Sequence, residues 1–146
     1  MARIKHIALV TDDPVKTAEF YKEHFGLTEL YRRPTDTGDK GVWLSDGYIY
    51  FAILKYGTGD APKLGPGQTS ELRGIHHIGF QVESLEAIAE RLAAAGSEPR
   101  DDVNQALGVG YGRREHGNVE VKYNGPDGVM VDVSETGWVG TSGFGA

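Results

Sequence analysis

The segment from Ile4 to Gly26 recurs in altered form from Ile75 to Gly96, and a chain carrying one unit twice is constrained to fold as two copies of one supersecondary module. Ile4-Lys5-His6-Ile7-Ala8-Leu9 lies over Ile75-His76-His77-Ile78-Gly79-Phe80, so His6 and His77 occupy matching places 71 residues apart. Each copy opens with a β-rich run and then switches to helical periodicity. In the first, Asp12 and Asp13 are cap candidates and Pro14 suits the first helical turn. Val15, Ala18, Tyr21 and Phe25 fall near one face before Gly26 stops the helix. In the second, Ser84 caps, Leu85, Ile88 and Leu92 make the apolar stripe, and Gly96 takes the C-terminal position. Three strands are expected after each helix, at 27–33, 40–45 and 48–54 and again at 97–103, 118–124 and 129–134. Each half reads βαβββ, which makes the expected fold class α+β with two tandem βαβββ modules.

A length of 146 residues suits one domain with a continuous core. The expected division is module 1 over about 1–56, a linker over about 57–72, module 2 over about 73–136 and a C-terminal tail over about 137–146. The linker assignment rests on residues 57–70, which hold four Gly and two Pro. Residues 104–117 also read as a loop, with Gly108, Gly110 and Gly112 spaced by two but no strand-to-helix context for a phosphate loop; a lid is the expectation there. The chain has no cysteine, so thiolate metal sites, disulfides and cysteine nucleophiles are excluded and any metal must be held by His and carboxylate. A net charge of −6, with no basic run longer than Arg32-Arg33 and Arg113-Arg114, makes nucleic acid and anionic membranes poor partners. The opening MARIKHIALV has too short an apolar stretch for a signal segment, and a cytoplasmic location is expected.

Strand alternation sorts the side chains by face. Strict alternation puts Ile4, His6, Ala8 and Val10 on one side of the first strand, with Lys5, Ile7 and Leu9 on the other. In the repeat it puts His77, Gly79 and Gln81 opposite His76, Ile78 and Phe80. One face takes the helix, and the face carrying His6 and His77 is left to line a cleft. In the last strand Val129, Val131 and Val133 suit the helix face, while Met130, Asp132 and Ser134 share the other. A carboxylate between valines needs a cation, a donor or open solvent. Two imidazoles and a carboxylate converging from three strands make the facial triad that holds Fe(II), Mn(II), Zn(II) or Ni(II) with positions left open. His76 falls with Ile78 and Phe80, where a core or rim role is expected.

These residues resemble the vicinal oxygen chelate superfamily, which groups glyoxalase I, bleomycin and fosfomycin resistance proteins, extradiol dioxygenases and methylmalonyl-CoA epimerase. The pieces that carry the resemblance are KHIALVTDDPVKTAEFYKEHFGL, HHIGFQVESLEAIAERLAAAG and the closing GPDGVMVDVS. The resemblance implies that each module curls its sheet into an open half-barrel. It also implies that paired modules enclose a divalent ion chelating adjacent substrate oxygens, with ligands from first and last strands. Those positions here are His6, His77 and Asp132, the last standing where the family usually has Glu. A fourth ligand near the end of the first module's last strand is missing: the better register places Ala52 there. The extradiol pattern is met only in part by His116, Tyr123, Pro126 and Asp132, with Lys122 at the family's tyrosine position.

Acid and base candidates are Tyr50, Glu120, Lys122 and His116, and the substrate cleft is expected to include Tyr48, Trp43 and Met130, with Trp138 a further aromatic candidate. The implied function is a small metal-dependent lyase or isomerase that stabilises an enolate or oxyanion of a small metabolite. Ring-cleaving Fe(II) dioxygenation and metal-free, bleomycin-resistance-like ligand binding are the alternatives. The expected partners are a small-molecule substrate and a second copy of the chain, a homodimer being expected because an open half-barrel leaves sheet edges unpaired.

Overall fold

In the computed structural model, which describes residues 1–33, 40–57, 64–65, 67–107 and 120–142, seven strands and three α-helices follow one another, with a short 3-10 turn at Pro126–Gly128 before the last strand. They are β1 (Arg3–Val10), α1 (Pro14–Phe25), β2 (Thr28–Arg33), β3 (Lys40–Ser45), β4 (Tyr50–Lys55), β5 (Gly74–Gln81), α2 (Leu85–Ala94), α3 (Asp101–Leu107), β6 (Val121–Asn124) and β7 (Met130–Ser134). The helix signals act where the sequence places them. The Asp13 carboxylate accepts from the Lys16 N–H at 3.0 Å, Pro14 opens α1, and Gly26 closes it in the left-handed region at φ 70°. Ser84 Oγ likewise accepts from the Ala87 N–H at 3.1 Å.

The seven strands form one sheet in the order β2-β3-β4-β1-β5-β7-β6. β1 pairs parallel with β4 and β5 parallel with β7, whereas β1 and β5 pair antiparallel at the centre with Ile7 opposite Ile78. The two copies therefore join edge to edge through their first strands within a single chain. The edge argument for a second copy now applies only to β2 and β6. On one face α1 covers Val42, Leu44 and Ile53, and α2 covers Val121, Tyr123 and Val133. The opposite, inner face carries Ala8, Val10, Trp43, Tyr50, Ala52, Leu54 and Trp138. Leu64 and Leu72 pack against that inner cluster, so the described part of the linker is tied to the core.

Three expectations are corrected. The segment 97–103 is not a strand: Pro99 makes a single bridge to Tyr123 and α3 begins at Asp101. Proline has no N–H to extend a ladder, and Asp101 and Asp102 suit a helix N-terminus. The Asn104 side chain then meets the backbone N–H of Lys122 at 3.0 Å, standing in for the missing strand. β4 starts at Tyr50, two residues later than expected, because the Asp46 carboxylate accepts the N–H groups of Tyr48 and Ile49 at 2.8 and 2.7 Å and holds them in a turn. The third correction concerns β1 and β5, where alternation is broken. Ile4 pairs with Phe80 but His6 with Gly79, and Ala8 pairs with His77 but Leu9 with Ile75. Lys5 and His76, equivalent in the repeat, are the extra residues of two β-bulges, and both are fully buried beside the histidine that follows.

Candidate metal centre

The paired bulges and the parallel registers bring three strands' side chains to one point. His77 stands beside Met130 and Gly79 beside Asp132, while across the sheet His6 lies beside Tyr50 and opposite Gly79. His6 Nε2 is 2.8 Å from His77 Nε2, and Asp132 Oδ2 is 3.2 Å from His77 Nε2 and 3.8 Å from His6 Nε2. All three residues are at most 4% exposed. Two ligands each about 2.1 Å from an ion lie about 3.0 Å apart at a right angle and about 3.4 Å apart at the tetrahedral angle. The observed spacings fall around those values. His6 Nδ1 must donate to the Tyr50 carbonyl 2.8 Å away, which leaves the Nε2 lone pair facing the site. Among the described residues, the buried Asp132 Oδ1 has no hydrogen-bond partner, a costly state that a cation relieves. A neutral His, His and carboxylate set of this kind fits a divalent first-row ion.

Two further charged groups stand against the triad. Lys122 lies directly across the β6–β7 ladder from Asp132, and its ammonium is 2.5 Å from Asp132 Oδ2 and 3.4 Å from Glu120 Oε1. Glu120 Oε2 accepts from Trp138 Nε1–H at 2.7 Å. Burial pulls His6 down to about 4 and His77 well below the usual imidazole value, so both rings are neutral near pH 7. Burial pushes Asp132 up to about 8, with Lys122 offsetting only part of that rise. Burial also raises Glu120 and lowers Lys122, but the attraction between the two charges, helped at Glu120 by the hydrogen bond from Trp138, outweighs it and keeps both charged. The buried Asp132 and the partly buried Glu120 beside one ammonium leave an excess negative charge, which a proton on Asp132 neutralises when no cation is present.

That balance predicts proton-linked metal binding. Between about pH 4 and 8 the folded, metal-free protein carries one proton on Asp132 that a metal must displace, while the histidines are already neutral. Titration calorimetry at pH 7 in buffers of different ionisation enthalpy is expected to report about one proton released per ion. Apparent affinity is expected to rise roughly tenfold per pH unit up to about pH 8 and then level off. Release of two or more protons at pH 7 contradicts it.

The other expected residues divide clearly. Glu120 and Lys122 are brought to the triad. Tyr50 reaches it through its carbonyl, while its hydroxyl is engaged 2.6 Å from that of Tyr31. Met130 is in register with His77 but fully buried, with Gly65 of the linker against it. Trp43 stacks on Tyr31 at 4.6 Å and 12° within the inner cluster. Tyr48 does not join the row: it sits in the turn before β4, 42% exposed, with the Lys5 ammonium 3.4 Å over its ring. Ala52 stands opposite Ala8 as Asp132 stands beside Gly79, so the place symmetric to Asp132 holds a methyl group. Tyr123 packs with Val121 and Val133 on the helix side, away from the triad's face. His116 lies outside the described residues.

Two contributors carried no assigned role at the triad in the sequence. Trp138, from the tail, stacks on His6 at 5.2 Å and 29° and meets Gly79, where an added Cβ would come within 2.6 Å of His6 Cβ and 2.8 Å of the Trp138 ring. Gly79→Ala is expected to cost about 1–3 kcal/mol through overpacking and to lower metal affinity, with Trp138→Ala in the same chain recovering part of the stability, as read by denaturant unfolding and metal titration. The tail is fastened across the first module by Ser45 Oγ–H to the Gly140 carbonyl at 2.9 Å and by the Ser142 N–H to the Gly47 carbonyl at 3.1 Å. His76 is the second contributor, its Nδ1 2.6 Å from His77 Nδ1.

Comparison with known proteins follows the same lines. The sequence model of the glyoxalase/bleomycin resistance protein/dioxygenase superfamily matches residues 3–133. The chain belongs to this superfamily. Within it, glyoxalase I of Saccharomyces cerevisiae is 28% identical over 115 residues, an alignment covering 64% of this chain and 35% of the yeast protein. The chain thus spans about a third of the length of the curated relative it matches. Among solved structures, a methylmalonyl-CoA epimerase in complex with methylmalonyl-CoA and NH4+ superposes with a TM-score of 0.61 at 22% identity, covering 91% of this chain and 93% of that one. A Streptomyces coelicolor methylmalonyl-CoA epimerase variant in complex with 2-nitronate-propionyl-CoA gives 0.62 at 22% identity, with 93% and 96% covered. The epimerase from Mycobacterium tuberculosis gives 0.54 at 17% identity, with 89% and 85% covered. At these identities the structural likeness is a likeness of fold. Among the described residues, no helix is long and apolar enough to cross a membrane.

Proposed function

We propose that this superfamily member is a divalent-metal-dependent enzyme of the lyase or isomerase type, acting on the carbon acid next to a carbonyl of a small oxygenated metabolite. The observation that carries the reading is the buried convergence of His6, His77 and Asp132 beside the ion-paired Glu120 and Lys122. An ion held by His6, His77 and Asp132 supplies a Lewis acid that polarises two neighbouring substrate oxygens. The chain's own groups do the rest. Glu120 is ionised, and among the described residues its Oε1 has a long 3.4 Å contact to Lys122 while Oε2 accepts from Trp138, so Oε1 is the carboxylate oxygen better placed to take a proton from carbon. Lys122 keeps its proton and brings a fixed positive charge to oxygen that gains negative character. Trp138 holds Glu120 and His6 in place, and the apolar inner face with Tyr50 and Trp43 keeps water from the reacting carbon.

Acyl-CoA thioesters, the ligand type named for the epimerase structures, and thiol adducts of small carbonyl metabolites are the substrate classes to try first. The test is solvent exchange. Metal-loaded protein is incubated in D2O with a panel of both classes, and the α-carbon is followed by NMR. Deuterium incorporation that disappears in Glu120→Gln supports the reading, and no exchange with any member under Fe, Mn, Zn or Ni sinks it. The aromatic side chains of the binding-protein alternative pack on one another, as Trp43 does on Tyr31, and Tyr123 of the dioxygenase alternative lies on the helix side; neither is preferred.

A further inference from the structure

We propose that His76 is a positioning residue for His77, acting as its reversible hydrogen-bond partner; this rests on the metal reading above. The bulge in β5 is what makes the contact possible, since adjacent residues of a regular strand face opposite ways. Here both rings turn to the inner side, His76 is fully buried, and the two Nδ1 atoms are 2.6 Å apart. Two ring nitrogens at that distance share one hydrogen, so one donates and the other accepts. Tyr56 meets the His76 ring edge-on at 5.1 Å and 81°, and Gln68 Nε2–H donates to the His76 carbonyl at 3.2 Å, which fixes the residue from both ends.

The two ligating histidines are thus held differently. The Tyr50 carbonyl can only accept, so His6 always presents its Nε2 lone pair to the site. His77 faces a second imidazole that can do either. Without a cation, His77 Nε2–H donates to His6 Nε2 at 2.8 Å, and His77 Nδ1 accepts from His76 Nδ1–H. With a cation on Nε2, the hydrogen of His77 must sit on Nδ1 and be donated to His76 Nδ1. His76 accommodates both arrangements with every ring neutral, and it orients the ligand in each. Lys5, its equivalent in the first copy, instead donates to Ser142 Oγ at 2.8 Å in the tail, so the arrangement belongs to the second copy alone.

The experiment compares wild type with His76→Asn, whose amide can donate or accept near the place of Nδ1, and with His76→Phe, which keeps a ring against Tyr56 but can do neither. Zn2+ affinity is measured by competition with a chelating dye, the His77 tautomer by 15N correlation spectra with and without Zn2+, and folding by circular dichroism. The expected result is a loss of roughly 10- to 100-fold in affinity for Phe and recovery to within a few-fold of wild type for Asn. In wild type the His77 hydrogen should move from Nε2 to Nδ1 on loading. A folded Phe variant with wild-type affinity overturns the proposal and leaves the metal reading intact, as does a wild-type His77 whose hydrogen already sits on Nδ1 before Zn2+ is added. If the Phe variant does not fold, the wild-type tautomer shift alone decides. Wild type that takes up no Zn2+ overturns both.

Discussion

Asp132→Ala is expected to abolish metal binding and to lower the stability of the metal-free protein by about 1–3 kcal/mol. The carboxylate is wholly buried, and it is the partner 2.5 Å from the ammonium of Lys122, itself 1% exposed. Truncation removes that partner and leaves the ammonium in the interior with only Glu120 at 3.4 Å. Most of the cost is the lost hydrogen bond and the space left behind, because Asp132 is protonated in the metal-free protein near pH 7 and Glu120 still balances the charge of Lys122. Asp132→Asn should therefore be milder for folding, since its amide oxygen still accepts from Lys122. It should be nearly as damaging for metal, since a neutral amide is a poor substitute for the carboxylate in a three-ligand set. Denaturant unfolding of the metal-free proteins and Zn2+ titration separate the two effects. An Asp132→Ala chain that unfolds within about 1 kcal/mol of wild type contradicts the account of the pair.

Lys122→Met is expected to lower metal-free stability by more, about 3–5 kcal/mol, because the ionised Glu120 loses its counter-charge, and yet to raise the stabilisation that metal provides. Methionine fills the space of the aliphatic stem but leaves Glu120 and Asp132 without their shared cation. A divalent ion brings the wild-type site to a formal charge of +1 and the variant site to zero, so the ion is bound more tightly in the variant. Thermal melts with and without Zn2+ should show a larger metal-induced rise in Tm for Lys122→Met than for wild type. This variant is also expected to lose most of the solvent-exchange activity despite its better metal binding, because the fixed charge opposite the developing oxyanion is gone. An equal or smaller metal-induced rise contradicts the charge accounting.

How much of this was readable beforehand depends on the kind of signal. The helix ends at Asp13, Pro14, Gly26 and Ser84 follow from backbone chemistry local to each residue, and the structure uses all four. His6, His77 and Asp132 are brought out in the sequence because repetition and period-two alternation agree on one face. The same rule failed at Lys5 and His76. A bulge adds one residue without altering composition, and nothing in a single strand announces it. Its trace was present only in the comparison of copies, where a polar residue precedes the histidine at the same place both times. The strand expected at 97–103 failed through Pro99, whose missing N–H demotes a strand. Trp138 was difficult for another reason. It lies in a short glycine-rich tail whose composition suggests a loose end, while its position over His6 and Gly79 depends on contacts to Ser45 and Gly47 some ninety residues earlier in the chain.

The central claim is that the chain holds one divalent ion on His6, His77 and Asp132, and elemental analysis of protein purified without a histidine tag tests it most directly. The account predicts close to one equivalent of a first-row divalent metal, as isolated or after reloading, and loss of that metal in both His6→Ala and Asp132→Ala while the His6→Ala chain remains folded. Wild-type protein that is metal-free and cannot be reloaded, or a His6→Ala variant that keeps its full equivalent, contradicts it.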